Sequence, residues 1–270
     1  TGWSRRKGRR MGSREFAGDQ AEGLRRLFAA PLAECVPVVA RSGAGAGVVA
    51  NLAAACARIG RDVLVIDATH GEVARALGVP ARRELAHALA GERVIADLVA
   101  TPGERLALLP AARGLARALD AGMRVADVAA AARPGADLVI VHAPVDVLEA
   151  AGLGARADVV VPMGADGEAL TAAYGDIKRG GGQGARYRVL VHGAASAHAA
   201  LARFVSLAGT ARRFLGAELV FGGYVPPDPA FRAAAAASRS VFDVAPASTA
   251  ARALEVIACM LGERRSPAVH

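Results

Sequence analysis

The sequence predicts a single α/β domain, a doubly wound and mostly parallel sheet with helices on both faces, preceded by an N-terminal helical arm. Three observations predict it. Val36–Ala40, Val63–Asp67 and Leu138–His142 are short, continuous apolar runs, the pattern of strands buried on both faces. Alanine- and leucine-rich stretches of helical length alternate with such runs along the chain, which is the order of a parallel sheet with crossover helices. No tandem repeat, long linker or Pro/Ser-rich hinge divides the 270 residues, and one core suffices for a chain of about this length.

Taken in order, residues 1–15 read as a basic, disordered tail and Phe16–Ala29 as a short amphipathic helix within a segment spanning 16–30. The α/β domain is expected over 35–262. Strand Val36–Ala40 leads through the glycine-rich turn Arg41–Gly47 into a helix at 48–59. Strand Val63–Asp67 precedes helices at 72–77 and 84–90. Strand Leu106–Pro110 is followed by a helix at 113–131, and Leu138–His142 by one at 146–154. Val159–Pro162, Tyr187–Val191 and Leu219–Val225 complete the strands, with helices at 167–178, 197–214 and 249–261. Ligands in such folds bind beyond the carboxyl ends of the strands. That singles out Arg41–Gly47, Asp67–Gly71, His142–Asp146 and the loop 226–228.

Composition excludes several function classes. The formal net charge is +8, yet Arg5, Arg6, Lys7, Arg9, Arg10 and Arg14 supply six of those charges before Glu15. The rest is close to neutral, so no nucleic-acid partner is expected. Met11 reads as a candidate start, which would leave residues 1–10 as an addition. Cys35, Cys56 and Cys259 lie far apart without ligand spacing, so neither a disulfide framework nor a metal site is expected. No run is long and apolar enough to span a membrane, and the basic start lacks the apolar region of a signal peptide. The expected location is cytoplasmic.

The turn Arg41-Ser42-Gly43-Ala44-Gly45-Ala46-Gly47 joins a strand to a helix. Glycines there let backbone N–H groups face an anion at the helix N-terminus. A working phosphate loop also needs a lysine and a hydroxyl after the last glycine, but Val48 and Val49 follow Gly47, and the chain's two lysines are Lys7 and Lys178. A tight turn without a ligand fits equally. So does a dinucleotide-binding turn, because Gly45-Ala46-Gly47-Val48-Val49-Ala50 satisfies G-x-G-x-x-[GA] and Asp67 follows Gly47 by 20 residues. No G-x-S-x-G elbow marks a hydrolase.

Two groups of segments resemble a known family. Asp19-Gln20-Ala21-Glu22-Gly23-Leu24-Arg25 resembles the DQAxxLR segment of the MinD/ParA-type flagellar-number regulators, the FlhG/FleN family. The segments NLAAACARIGRDVLVIDAT, LALLPAARG, ADLVIVHAP and FGGYVPPDPAFRAA follow that family's body motifs in order and spacing. The resemblance covers about residues 19–262. It implies a P-loop NTPase fold of the SIMIBI/MinD-like kind, with ATP and Mg²⁺ as ligands, dimerisation coupled to nucleotide, and control of flagellar number and placement. It also implies partners: an FlhF-type signal-recognition-particle GTPase, contacted through Asp19, Gln20, Ala21, Leu24 and Arg25, and flagellar switch components. Nucleotide contacts would fall to Arg41, Ser42, Gly43, Gly45, Gly47, Asp67, Pro227 and Asp228.

The sequence departs from the family where the chemistry should sit. KGGxGKT becomes SGAGAGV, Thr69 stands at the second acid of the D-A-D pattern, His142 at the Walker B aspartate and His192 at the base-binding asparagine. Phosphoryl transfer depends on such groups, and losing one typically costs about 10²–10³ in rate. No catalytic residue, cofactor or hydrolysis is therefore expected, and a dimer only if nucleotide binding persists. Two alternatives stay open: an active ATPase of the same family using Arg41, and an NAD- or FAD-dependent enzyme using Gly45, Gly47 and Asp67. Strand order separates the second. The last helix, with Leu254, Ile257, Ala258 and Leu261 on one face, is expected to pack on the domain, leaving at most weak peripheral membrane contact.

Overall fold

The computed structural model describes residues 33–40, 44–155, 157–181 and 185–262. The basic tail and the DQAEGLR segment lie outside them. Glu34–Val39 forms β1, and Ala44–Arg58 forms α1. Val63–Asp67 is β2, followed by α2 (Glu72–Ala76) and α3 (Leu85–Leu89). After a 3-10 turn at Ile95–Leu98 come β3 (Ala100–Gly103) and β4 (Leu106–Pro110). Helices α4 (Gly114–Asp120) and α5 (Val125–Ala132) lead to β5 (Leu138–Ala143) and α6 (Val145–Ala150). The second half holds β6 (Val159–Gly164), α7 (Gly167–Arg179), β7 (Tyr187–His192), α8 (Ala197–Leu215) and β8 (Leu219–Val225). Helices α9 (Pro229–Ala236), α10 (Val241–Val244) and α11 (Thr249–Gly262) close it.

The sheet order is β3-β4-β2-β5-β1-β6-β7-β8, and every pairing is parallel except β3 with β4. Side-chain alternation splits the core into two layers. Val36, Val38, Val63, Val65, Leu138 and Ile140 face α1 and α11. Val39, Leu64, Ile66, Val139 and Val141 face the opposite layer, built from α4 to α8. The doubly wound architecture is as the apolar runs predict. The dinucleotide-binding alternative is overturned, because β5 lies between β1 and β2, whereas a dinucleotide fold pairs those two directly.

Four local expectations are corrected. The first helix starts at Ala44 rather than 48, so Gly45 and Gly47 are helical residues and not loop residues. The helix expected over 113–131 is two helices, broken where Gly122 takes a φ of 80°, a conformation that glycine adopts without a Cβ clash. A short antiparallel strand, β3, escaped the apolar pattern because ATPG is too short and too polar to show one. Helices α9 and α10 were also missed. The first has Asp228 as N-cap and Pro229 behind it, a recognisable start signal.

The edge strand β8 carries one extra residue. Val189 pairs with Phe221 and Leu190 with Gly223, leaving Gly222 bulged. A Cβ on Gly222 would lie 2.6 Å from Arg188 Cγ, and one on Gly223, whose φ is 125°, would lie 2.7 Å from Ile257 Cγ1. Only glycine fits at either position. Among the described residues no helix is long and apolar enough to cross a membrane.

Candidate functional site

The carboxyl ends of β1, β2, β5, β6 and β7 meet in one edge, where this fold class places its ligands. Of the glycine-rich turn, Arg41, Ser42 and Gly43 lie outside the described residues. Gly45 and Gly47 occupy the first turn of α1. Among the described residues nothing in the packing demands glycine there: a Cβ on Gly45 would sit 4.0 Å from Pro162 Cβ, and one on Gly47 would sit 3.9 Å from Phe231 Cε1. Below them, Asn51 ties α1 to α10. Its Nδ2 donates to the Gly47 carbonyl at 2.8 Å, and its Oδ1 accepts from Val241 N at 2.6 Å.

Asp67, at the end of β2, is fully buried. Its Oδ1 accepts from Thr69 N at 3.1 Å and Thr69 Oγ1 at 2.5 Å, and its Oδ2 accepts from Val73 N at 3.2 Å. The carboxylate thus closes the turn into α2. His142 stands opposite Asp67 in the β2–β5 ladder and is fully buried on the α1 side, two residues beyond Ile140. Neither of its ring nitrogens makes a hydrogen bond of normal geometry. Burial holds its pKa below the ordinary imidazole value, against the smaller opposing pull of the Asp67 carboxylate and the Val38 backbone.

Asp228 is also turned inward. Its Oδ1 caps α9 by accepting from Ala230 N at 2.8 Å. Its Oδ2 accepts from Ala250 N at 2.9 Å and Thr249 Oγ1 at 2.8 Å at the start of α11. These bonds, that from Ala250 first, hold its carboxyl below the usual carboxylate range. Pro227 beside it is exposed. Of the residues singled out in the sequence, the fold brings together Asp67 and His142. It spends Asp228 on joining two helices.

A cavity of about 710 Å³ opens along the same edge, lined by Ala40, Gly45, Gly164, Asp166, Thr171 and His192 among others. The loop after β6 supplies Asp166, whose Oδ1 caps α7 through Ala169 N at 2.7 Å. This loop was missed in the sequence, although it too follows a strand and carries the Asp-Gly start of a helix.

These residues do not fit a magnesium–nucleotide complex. A hard divalent cation takes oxygen ligands, but β5 presents an uncharged, buried imidazole, and the Asp67 carboxylate already accepts three hydrogen bonds. Among the described residues no three His, Cys, Asp or Glu side chains converge on a possible ion position. The α1 turn itself carries no lysine.

Over 83% of its length and 85% of the relative's, the chain is 30% identical to the antiactivator FleN of Pseudomonas aeruginosa. It belongs to the FlhG/FleN family of MinD/ParA-type proteins. Solved structures agree on the fold. MinD of Pyrococcus horikoshii, determined with Mg-ADP, superposes with a TM-score of 0.65 at 18% identity, covering 86% of this chain and 96% of that one. MinD in the MinC:MinD complex of Aquifex aeolicus gives 0.66 at 18%, over 88% and 99%. A ParA family ATPase of Chlorobium tepidum gives 0.61 at 18%, over 84% and 98%. No protein-family model matches the sequence. The FlhG/FleN resemblance of the sequence and the P-loop strand order of the sheet therefore agree.

Proposed function

We propose that this chain regulates flagellar number or placement in the cytoplasm by protein–protein contact, without hydrolysing ATP. The FleN relationship supports the regulatory role. One observation carries the loss of hydrolysis: His142, buried and with neither ring nitrogen in a hydrogen bond of normal geometry among the described residues, occupies the β5 terminus beside Asp67, where the family resemblance calls for an aspartate. The end of β5 therefore offers no carboxylate to hold the metal that stabilises the transferring phosphoryl group.

The output would come from the N-terminal segment. Asp19, Gln20, Ala21, Leu24 and Arg25 would contact an FlhF-type GTPase and raise its turnover, with flagellar switch components as further partners. The remaining glycine-turn residues, Arg41, Ser42, Gly43, Gly45 and Gly47, would contact at most a weakly held nucleotide, and dimerisation would require one.

Calorimetric titration with ATP-Mg²⁺ beside a turnover assay tests the first part, with no turnover expected. Turnover abolished by Arg41→Ala would establish the active-ATPase alternative instead. GTPase stimulation by the full chain, lost in Arg25→Ala, tests the second part. Equal stimulation by both proteins would refute the role of the segment.

A further inference from the structure

A parallel ladder sets Asp67 and His142 side by side at the carboxyl edge. Both are fully buried. An ionised carboxylate offers about four lone-pair positions, and the bonds from Thr69 and Val73 use three of them on Asp67. The Thr69 hydroxyl lies against the same carboxylate. Strand β2 and its following turn therefore present a cluster of oxygen atoms at the carboxyl edge of the sheet. Strand β5 answers that cluster with a buried imidazole.

An imidazole suits zinc or copper, whereas magnesium and manganese favour carboxylate, carbonyl and water oxygens. The first turn of α1 (Ala44 to Val48) has no titratable side chain, and among the described residues no three His, Cys, Asp or Glu side chains gather into a possible ion site.

We propose that His142 is the residue that excludes a hard divalent cation from this edge, and that the remainder of a cation site survives at the end of β2 and in its following turn as Asp67 and Thr69. The inference deepens the non-hydrolysing reading and rests on it, but it is measured without nucleotide or partner protein. Replacing His142 by aspartate would set two buried carboxylates side by side. Their repulsion would destabilise the metal-free protein, and a cation between them would relieve it. Stability would become dependent on metal.

The test uses the full chain and manganese chloride alone, following the thermal unfolding midpoint and the free-ion electron paramagnetic resonance signal. Wild type is expected to show no shift and no loss of free Mn²⁺. His142→Asp should melt lower without metal and recover about 5–10 °C when Mn²⁺ reaches a hundred times its Kd. His142→Asn adds a neutral oxygen and no charge. It should gain a smaller shift, and it decides the matter if the aspartate variant does not fold. Adding Asp67→Asn to either variant should abolish the gain, which separates this site from ions held on surface carboxylates. Mn²⁺ bound by the wild type and lost in Asp67→Asn would overturn the proposal. So would two His142 variants that bind no better than wild type. ATP turnover by the wild type would sink the non-hydrolysing reading by a different readout.

Discussion

The two ends of the sheet treat charge in opposite ways. At the amino edge, acids and arginines pair between strand starts. Arg61 reaches Glu34 at 2.9 Å and the Asp137 carbonyl at 3.1 Å, Arg133 forks onto Asp62, and Arg188 meets Asp158 at 3.0 Å. These pairs are partly exposed and bind one loop to the next. At the carboxyl edge, Asp67 and Asp228 are turned inward as helix and turn caps, and among the described residues neither ring nitrogen of His142 makes a hydrogen bond of normal geometry. The amino edge is arranged as a scaffold would be. The carboxyl edge keeps a binding edge's residue positions, and local structure has taken over most of their polar groups.

The sharpest way to break this comparison is Asp228→Ala. It leaves two helix starts without their shared acceptor, and a loss of about 2–4 kcal/mol is expected from the capping and buried N–H terms. A shift of the urea midpoint near zero would show that the carboxyl edge is not structural there. The next test is pH. His142 is held neutral by burial, so the unfolded chain takes up the proton first. Stability is complete above the ordinary imidazole value of about 6.5 and falls as pH drops below it. The carboxyls of Asp62 and Asp228 are held low, so their contributions fade only at more acid pH, below about 4. Urea midpoints across this range should therefore flatten between about pH 6.5 and 5 in His142→Leu; an unchanged slope would assign it to another group.

Gly47→Ala should stabilise the chain by up to about 1 kcal/mol, since the position is helical and a Cβ has room. Destabilisation would reveal a packing demand at that turn. The smallest effect is expected at the amino edge. Asp62→Asn should cost no more than about 1 kcal/mol, because the pair with Arg133 is partly solvated, and salt should shrink the difference.

Most of the fold was legible because burial on both faces writes itself as uninterrupted valine and leucine. Where that signal weakens, the prediction fails. Strand β3 is four residues with a proline and a glycine, α9 begins inside what reads as a loop, and Gly122 splits a continuous alanine-rich stretch. The Asp228-Pro229 start of α9 and the glycine break were both visible in principle. The glycines of the first turn misled, since their helix is set by what α1 buries against the sheet and not by its terminal propensity. Within the site, Asp67 and His142 were identifiable as strand ends, and their adjacency follows from strand order once β5 lies next to β2. That Asp228 serves two helices was not legible, because its partners Thr249 and Ala250 are remote in sequence.

The sheet's two outer margins are closed by different devices. Strand β3 runs against its neighbour and is short, and β8 is kinked by its extra glycine. Neither presents a long, straight row of open backbone groups to another molecule. Both devices disfavour extension of the sheet from one copy to the next.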